Sequence, residues 1–272
     1  YKPWGVILFT RNIESIKQTL NLTSSIRKIF KDEYYPILVD QEGGRVNRLK
    51  KIISFDNLTS EFFGNKFTSN FKEFIFFYKL FIDKTSYLLK SIGININTSP
   101  VLDLRIKGTS NIIGDRSYSK DPKIVSKIGD YCIEHFHKNG IGTVIKHIPG
   151  HGLAKVDSHN FTPVVNKTKN FLSNKDFAAF KNKTSFFAMT AHIIFDKIDS
   201  ENTVTHSKKM IDIIRNEIGF KNILISDDIS MKSLKGSVKE NTIRTFNSGC
   251  NLVLHCNGNF KEMEIVGKNS PL

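Results

Sequence analysis

Short runs of aliphatic and β-branched residues alternate along the chain with longer stretches whose apolar positions recur every three or four residues. The runs are Gly5–Phe9, Pro36–Val39, Ile94–Thr98, Gly142–Lys146, Phe187–Thr190, Ile223–Ser226 and Leu252–His255. Most are apolar on consecutive positions, the pattern of strands covered on both faces. Helical patterns fill the intervals at Ile13–Phe30, Phe71–Ile92, Ile124–Asn139, Lys209–Ile218 and Glu240–Ser248. Strand, helix and strand at this spacing predict parallel βαβ units, hence an α/β fold. No glycine-rich dinucleotide fingerprint follows any strand, which argues against a doubly wound nucleotide-binding sheet. No linker, low-complexity segment or internal repeat interrupts the alternation, so residues 1–272 read as one domain.

The strand ends narrow the choice. Nearly every run closes on a polar cluster: Asp40-Gln41-Glu42, Asp103, Lys146-His147, His192, Asp227-Asp228 and His255. A (β/α)8 barrel places its active site at the C-terminal ends of its strands, where such clusters converge on one mouth. That fold typically takes roughly 250 residues, and the chain has 272. Polar residues also simply mark where strands stop, but that explains one cluster better than six.

Composition adds constraints. Lys and Arg number 40 against 26 Asp and Glu, giving a net charge of +14. The lysines are spread out (Lys50-Lys51, Lys66, Lys167, Lys169, Lys181, Lys183, Lys208-Lys209), with no interleaved aromatic–basic motif. A solvated basic surface is expected, and no nucleic-acid partner. No apolar run reaches the roughly 20 residues of a membrane span, and Phe71 to Leu89 is broken by Lys72, Glu73, Lys79, Asp83 and Lys84. That stretch reads as an amphipathic helix, and no membrane partner is expected. No leader pattern opens the chain, which begins inside a strand-like segment. Three cysteines without CxxC spacing suit reduced thiols in a cytoplasmic protein.

Four segments carry candidate chemistry. Lys146-His147-Ile148-Pro149-Gly150-His151-Gly152 leads into Asp157-Ser158-His159. His147 and His151 are four apart, but Pro149 and two glycines rule out the helical zinc geometry, and Lys146 would repel a cation; no metal is expected. An aspartate two residues before a histidine can orient the imidazole and raise its pKa, making Asp157 and His159 a candidate proton-donor pair. The run Ile223–Ser226 delivers Asp227 and Asp228 to the mouth, and alternation lets only one of them point into a site. A carboxylate there serves as nucleophile, metal ligand or helix N-cap, and capping of the next helix is expected for Asp228. In Asp40-Gln41-Glu42-Gly43-Gly44-Arg45-Val46-Asn47-Arg48 the glycine pair allows a sharp turn, so Asp40 and Arg48 can face one pocket. A carboxylate accepts and a guanidinium donates, as sugar hydroxyls require. Gly114-Asp115-Arg116-Ser117-Tyr118 brings a further arginine.

Together these segments, with Ser99-Pro100-Val101-Leu102-Asp103, resemble glycoside hydrolase family 3, and within it the single-domain bacterial β-N-acetylglucosaminidases. Their order and approximate spacing match from Trp4 to about Leu272. The resemblance implies that Asp227 is the nucleophile, His159 the acid/base and Asp157 its dyad partner. It implies that Asp40, Arg48, Arg116, Lys146 and His147 hold the terminal N-acetylglucosamine. The expected substrates are muropeptides bearing N-acetylglucosamine linked to 1,6-anhydro-N-acetylmuramic acid, cleaved without a cofactor by a cytoplasmic, monomeric enzyme of cell-wall recycling. Family members open with a further strand and helix and continue past the segment matching Leu272, so the count of seven strands implies a first strand before Tyr1. Phosphorylases of the same family, β-glucosidases and a basic binding protein on a degenerate barrel are the competing readings. The Lys-His-x-Pro-Gly-His-Gly segment with its Asp-x-His loop argues against the β-glucosidase.

Overall fold

The computed structural model describes residues 1–106, 108–109, 111–158 and 161–271. Its strands, in chain order, are β1 (Val6–Leu8), β2 (Ile37–Val39), β3 (Gln41–Gly43), β4 (Val46–Asn47), β5 (Ile96–Asn97), β6 (Gly142–Ile148), β7 (Val164–Val165), β8 (Phe187–Thr190), β9 (Ile194–Phe195), β10 (Ile223–Asp228) and β11 (Leu252–Leu254). The α-helices are α1 (Ile16–Phe30), α2 (Ser60–Ser69), α3 (Phe71–Ser91), α4 (Pro122–Lys138), α5 (Lys169–Ser173), α6 (Lys208–Ile213), α7 (Val238–Ser248) and α8 (Phe260–Asn269). A π-turn, Ile214–Ile218, extends α6.

Local chemistry sets the boundaries. Ser15 starts α1 by accepting the Gln18 N–H, and α1 ends where Lys31 turns left-handed at φ 53°. Asp121 caps α4, and Pro122 occupies its first turn, where a missing N–H costs nothing. Ser237 and Glu240 form a reciprocal capping box on α7.

The seven apolar runs become one parallel sheet in the order β1-β2-β5-β6-β8-β10-β11. Side chains alternate between its faces. Ile37, Val39, Ile145, Ala188 and Leu224 belong to the large core beneath the helices. Leu38, Ile96, Val144, Phe187, Met189 and Ile225 form a second cluster, against which Ile7, Ile223, Leu252 and Leu254 pack. Every one of the seven strands contributes to this inner cluster, so the sheet is curled around it. Trp4, just before β1, meets Phe187 of β8 edge-on with ring centroids 5.4 Å apart. At the seam, the Arg11 guanidinium donates to the Cys256 carbonyl at 2.6 Å, and the Tyr1 ring lies over Gly267 of α8. Among the described residues no ladder joins β1 to β11, and β11 is half-buried along its length.

The β3–β4 hairpin, the β7–β9 pair and helices α2, α5 and α8 were not expected from the sequence pattern. Among the described residues no helix is long and apolar enough to cross a membrane.

Candidate active site

Alternation along the curled sheet builds the site. Leu38, Ile96, Val144 and Ile225 point inward. With a period of two, the next inward positions toward the C-terminal ends are Asp40, Thr98, Lys146 and Asp227. One apolar layer therefore floors a polar one. A cavity of about 290 Å³ opens above it, lined among others by Asp40, Glu42, Arg48, Arg116, Lys146, His147 and Asp227. Phe9, Met189, Leu254 and Cys256 supply an apolar wall. A register shift between Lys146 and Ile148, where β6 meets β8, lets both Lys146 and His147 reach the cavity.

Lys146 is 2% exposed, and its ammonium lies 3.0 Å from Asp40 Oδ1, 2.7 Å from Glu42 Oε1 and 3.0 Å from Thr98 Oγ1. Arg48 Nη2 donates to Asp40 Oδ2 at 3.2 Å, and the Thr98 hydroxyl donates to Oδ1. Burial alone would raise the Asp40 carboxyl, but Lys146, Arg48 and Thr98 hold it well below the usual carboxylate range. Glu42 accepts two hydrogen bonds from Arg116, at 2.8 and 2.9 Å. Burial opposes its ionisation too, yet Arg116 and Lys146 bring the carboxyl down to about 2. Burial and the same contacts act in opposition on the two cations; Glu42 and its neighbours raise Arg116, and Asp40 and Glu42 raise Lys146. All of these groups are charged at neutral pH.

Glu42 and Arg45 were not assigned to the site from the sequence. Both depend on the β3–β4 hairpin, whose turn needs positive φ at Gly43 (91°) and Gly44 (55°). A Cβ on Gly43 would also sit 2.4 Å from the Leu58 carbonyl oxygen. Arg45 donates to the carbonyls of Asn111, Ile112 and Ile113 at 2.6, 2.7 and 3.0 Å and pairs with Asp115 at 3.0 Å. It thereby ties down the loop that delivers Arg116.

Asp103 organises the segment after β6. Fully buried, it accepts from the His147 ring Nδ1 at 2.7 Å, the His147 amide at 3.2 Å and the His151 amide at 2.6 Å. Burial works against its charge, but His147 and His151 keep the carboxyl below its ordinary value. With Nδ1 donating to Asp103, His147 turns Nε2 toward the cavity. His151 is buried, and desolvation with the nearby His147 pushes its pKa down to about 4, so the ring is neutral. Its Nε2 lies 3.0 Å from Ser158 Oγ, which anchors the loop carrying Asp157. Asp157 is half-buried, and its carbonyl accepts the Phe161 amide at 3.0 Å. His159, the expected proton donor, lies outside the described residues.

Asp227 differs from the other carboxylates lining the cavity. Asp40 and Glu42 are locked in ion pairs, whereas among the described residues Asp227 has none. One oxygen accepts the Asp228 amide at 2.8 Å. Burial would raise its pKa, but His192, His147 and that N–H lower it, so Asp227 is ionised at neutral pH. His192 stands behind it, fully buried, with Nε2 donating to the Asp228 carbonyl at 3.0 Å and Nδ1 2.7 Å from the Thr205 hydroxyl. The expected capping role of Asp228 does not hold. Its carboxylate accepts from the Ser230 amide and hydroxyl at 3.0 and 2.8 Å and from the Cys256 amide at 3.1 Å. The chain turns after β10, and the next helix, α7, starts ten residues later on its own serine cap. Asp228 instead ties the end of β10 to the end of β11.

Among the described residues no three His, Cys, Asp or Glu side chains are grouped as a metal would require. A small polar mouth, walled by fixed hydrogen-bonding charges and holding a carboxylate in no ion pair among the described residues, suits a hydroxyl-rich ligand attacked at carbon; that is the chemistry of a glycoside hydrolase. The comparison with known proteins narrows the class: the glycosyl hydrolase family 3 N-terminal domain matches residues 4–269, and the chain belongs to that family. A β-hexosaminidase of Nitrosomonas eutropha is 33% identical over 259 residues, 93% of this chain and 73% of its own. One of Haemophilus influenzae is 33% identical over 260 residues, 93% of this chain and 72% of its own. Native NagZ from Neisseria gonorrhoeae superposes with a TM-score of 0.84 at 28% identity, covering 98% of this chain and 78% of that one. A family 3 β-N-acetylglucosaminidase from Paenibacillus sp. gives 0.86 at 25% identity, covering 97% and 51%.

Proposed function

We propose that this chain is the catalytic domain of a retaining exo-β-N-acetylglucosaminidase that removes terminal, non-reducing N-acetylglucosamine from muropeptides. The observation that carries the reading is Asp227: ionised, facing the cavity and, among the described residues, in no ion pair. A carboxylate locked in an ion pair, as Asp40 and Glu42 are, is a poor nucleophile; one oriented by a single backbone N–H is free to attack.

In this reading Asp40, Arg48, Arg116, Lys146 and His147 grip the sugar hydroxyls and the acetamido group, with Glu42 fixing Arg116 and Lys146. Asp227 attacks the anomeric carbon while His159, oriented by Asp157, gives its proton to the departing oxygen. The glycosidic bond breaks as the Asp227–sugar ester forms. Water, deprotonated by His159, then releases the sugar and restores both side chains. A cavity of about 290 Å³ admits one terminal sugar rather than a chain, which supports exo action. The β-N-acetylglucosaminidases among the structural neighbours support the choice of sugar. The muropeptide substrate, a cytoplasmic monomer and cofactor-free action rest on the family resemblance. The same proposal reads the curled sheet as a (β/α)8 barrel in one domain, with the half-buried seam between β1 and β11 as the place of its eighth strand.

The test is product analysis on N-acetylglucosaminyl-1,6-anhydro-N-acetylmuramic acid, with and without inorganic phosphate. Free N-acetylglucosamine of retained configuration in both samples is expected. A sugar-1-phosphate formed only with phosphate would reassign the chain as a phosphorylase, and no cleavage would overturn the reading.

A further inference from the structure

Helix α3 is the amphipathic helix expected from the sequence, and its outer face also carries apolar side chains along the centre. Phe76, Leu80 and Tyr87 are 64%, 55% and 65% exposed, and their spacing of four and seven residues sets them in one stripe. Phe77, 42% exposed, adds a third ring beside them. Lys72, Lys84 and Lys90 are exposed on the same side of the helix, and among the described residues none of them forms an ion pair. The acids of the helix are neutralised: Glu73 pairs with Lys66, and Asp83 pairs with Lys79 at 2.6 Å. Lys84 lies over the Tyr87 ring at 5.7 Å, its apolar stem covering the aromatic while its ammonium reaches outward.

A ridge of aromatic and aliphatic side chains flanked by unpaired lysines matches the two layers of an anionic bilayer surface. The rings and Leu80 enter the boundary between headgroups and acyl chains, and the lysines meet the phosphates. A second protein of ordinary, mixed-charge surface would leave three lysines uncompensated. We infer that the outward face of α3 is a peripheral binding site for anionic phospholipid surfaces. This proposal departs from the expectation of no membrane partner: the face lies on a bilayer and does not span it. None of these residues lines the cavity, so the inference stands apart from the proposed activity.

The experiment is co-sedimentation of the chain with phosphatidylcholine vesicles and with equimolar phosphatidylcholine–phosphatidylglycerol vesicles. Binding is expected only to the anionic vesicles, and to weaken steeply with salt. Lys72→Gln, Lys84→Gln and Lys90→Gln should weaken binding about fivefold each, and together about a hundredfold. Phe76→Ser with Leu80→Ser and Tyr87→Ser should weaken it at least about tenfold while circular dichroism stays unchanged, because these side chains are exposed. Equal binding of the serine variant and the parent, or no binding to anionic vesicles at low salt, would overturn the inference. So would a concentration-dependent dimer in sedimentation velocity that the serine variant abolishes, which would assign the face to a second copy.

Discussion

Lys146→Met tests whether one buried ammonium holds the site together. Methionine keeps an unbranched chain of similar reach and removes the charge. Asp40 then retains Arg48 and the Thr98 hydroxyl, and Glu42 its two bonds to Arg116. Removing one partner of a buried ion pair costs about 3–5 kcal/mol, and the two surviving arginines set the expected loss near 3 kcal/mol at pH 7. The pH dependence gives a sharper test. Glu42 falls from 4.5 to about 2 on folding, which corresponds to roughly 3 kcal/mol of stability. Because the folded pKa is depressed, that stability is fully present above the ordinary value and is lost as the pH falls through the folded one. Asp40 acts in the same direction. Without Lys146 both carboxyls sit nearer their ordinary values, so less stability remains to be lost in acid. Urea unfolding followed by circular dichroism should show the widest gap between parent and variant at neutral pH, narrowing as the pH falls below the ordinary value of 4.5 toward about 2. A cost below about 1 kcal/mol at pH 7, or a gap that widens in acid, would refute the reasoning.

Arg45→Ala should loosen the loop that carries Arg116, raising KM about tenfold while unfolding midpoints barely move, since Arg45 is substantially exposed; steady-state kinetics with an unchanged KM would count against it. His159→Ala should damage cleavage of the natural disaccharide about 10²–10⁴-fold more than the first step on a nitrophenyl glycoside, whose leaving group needs no proton. The same variant should release nitrophenol in a burst and then stall, and equal slowing of both substrates without a burst would remove His159 from the role. Asp228→Asn should leave turnover within about tenfold of the parent but destabilise the chain by about 1–3 kcal/mol, because its carboxylate accepts part-buried bonds from Cys256, just past β11, and from Ser230.

The sheet was legible because strands buried on both faces are apolar on consecutive positions, and most of the seven runs show that pattern. The polar residues two positions beyond the inner layer were legible for the same reason: strand periodicity carries Leu38 to Asp40 and Val144 to Lys146. Contacts fixed by loops were not. Asp103 and His147 are 44 positions apart, and only the fold shows that one carboxylate holds the other's ring and two backbone amides. Glu42 became part of the site through the register of a hairpin that local propensity does not set. Helix α2 was hidden by Gly64, a poor helix former, which is required because a Cβ there would lie 1.7 Å from the Tyr118 carbonyl oxygen. Asp228 was misread because an acid after a strand commonly caps the next helix, and here a turn intervenes.

The central claim is that Asp227 is the nucleophile, and mass spectrometry of the chain inactivated with a 5-fluoro N-acetylglucosaminyl donor tests it most directly. The donor slows the second step more than the first, so the glycosyl-enzyme accumulates and the labelled peptide can be sequenced. The account predicts one sugar per chain, attached to Asp227, and no label on the Asp227→Asn variant, whose fold is intact by circular dichroism. Label on Asp228, Asp40 or Glu42, or full labelling of Asp227→Asn, would contradict it.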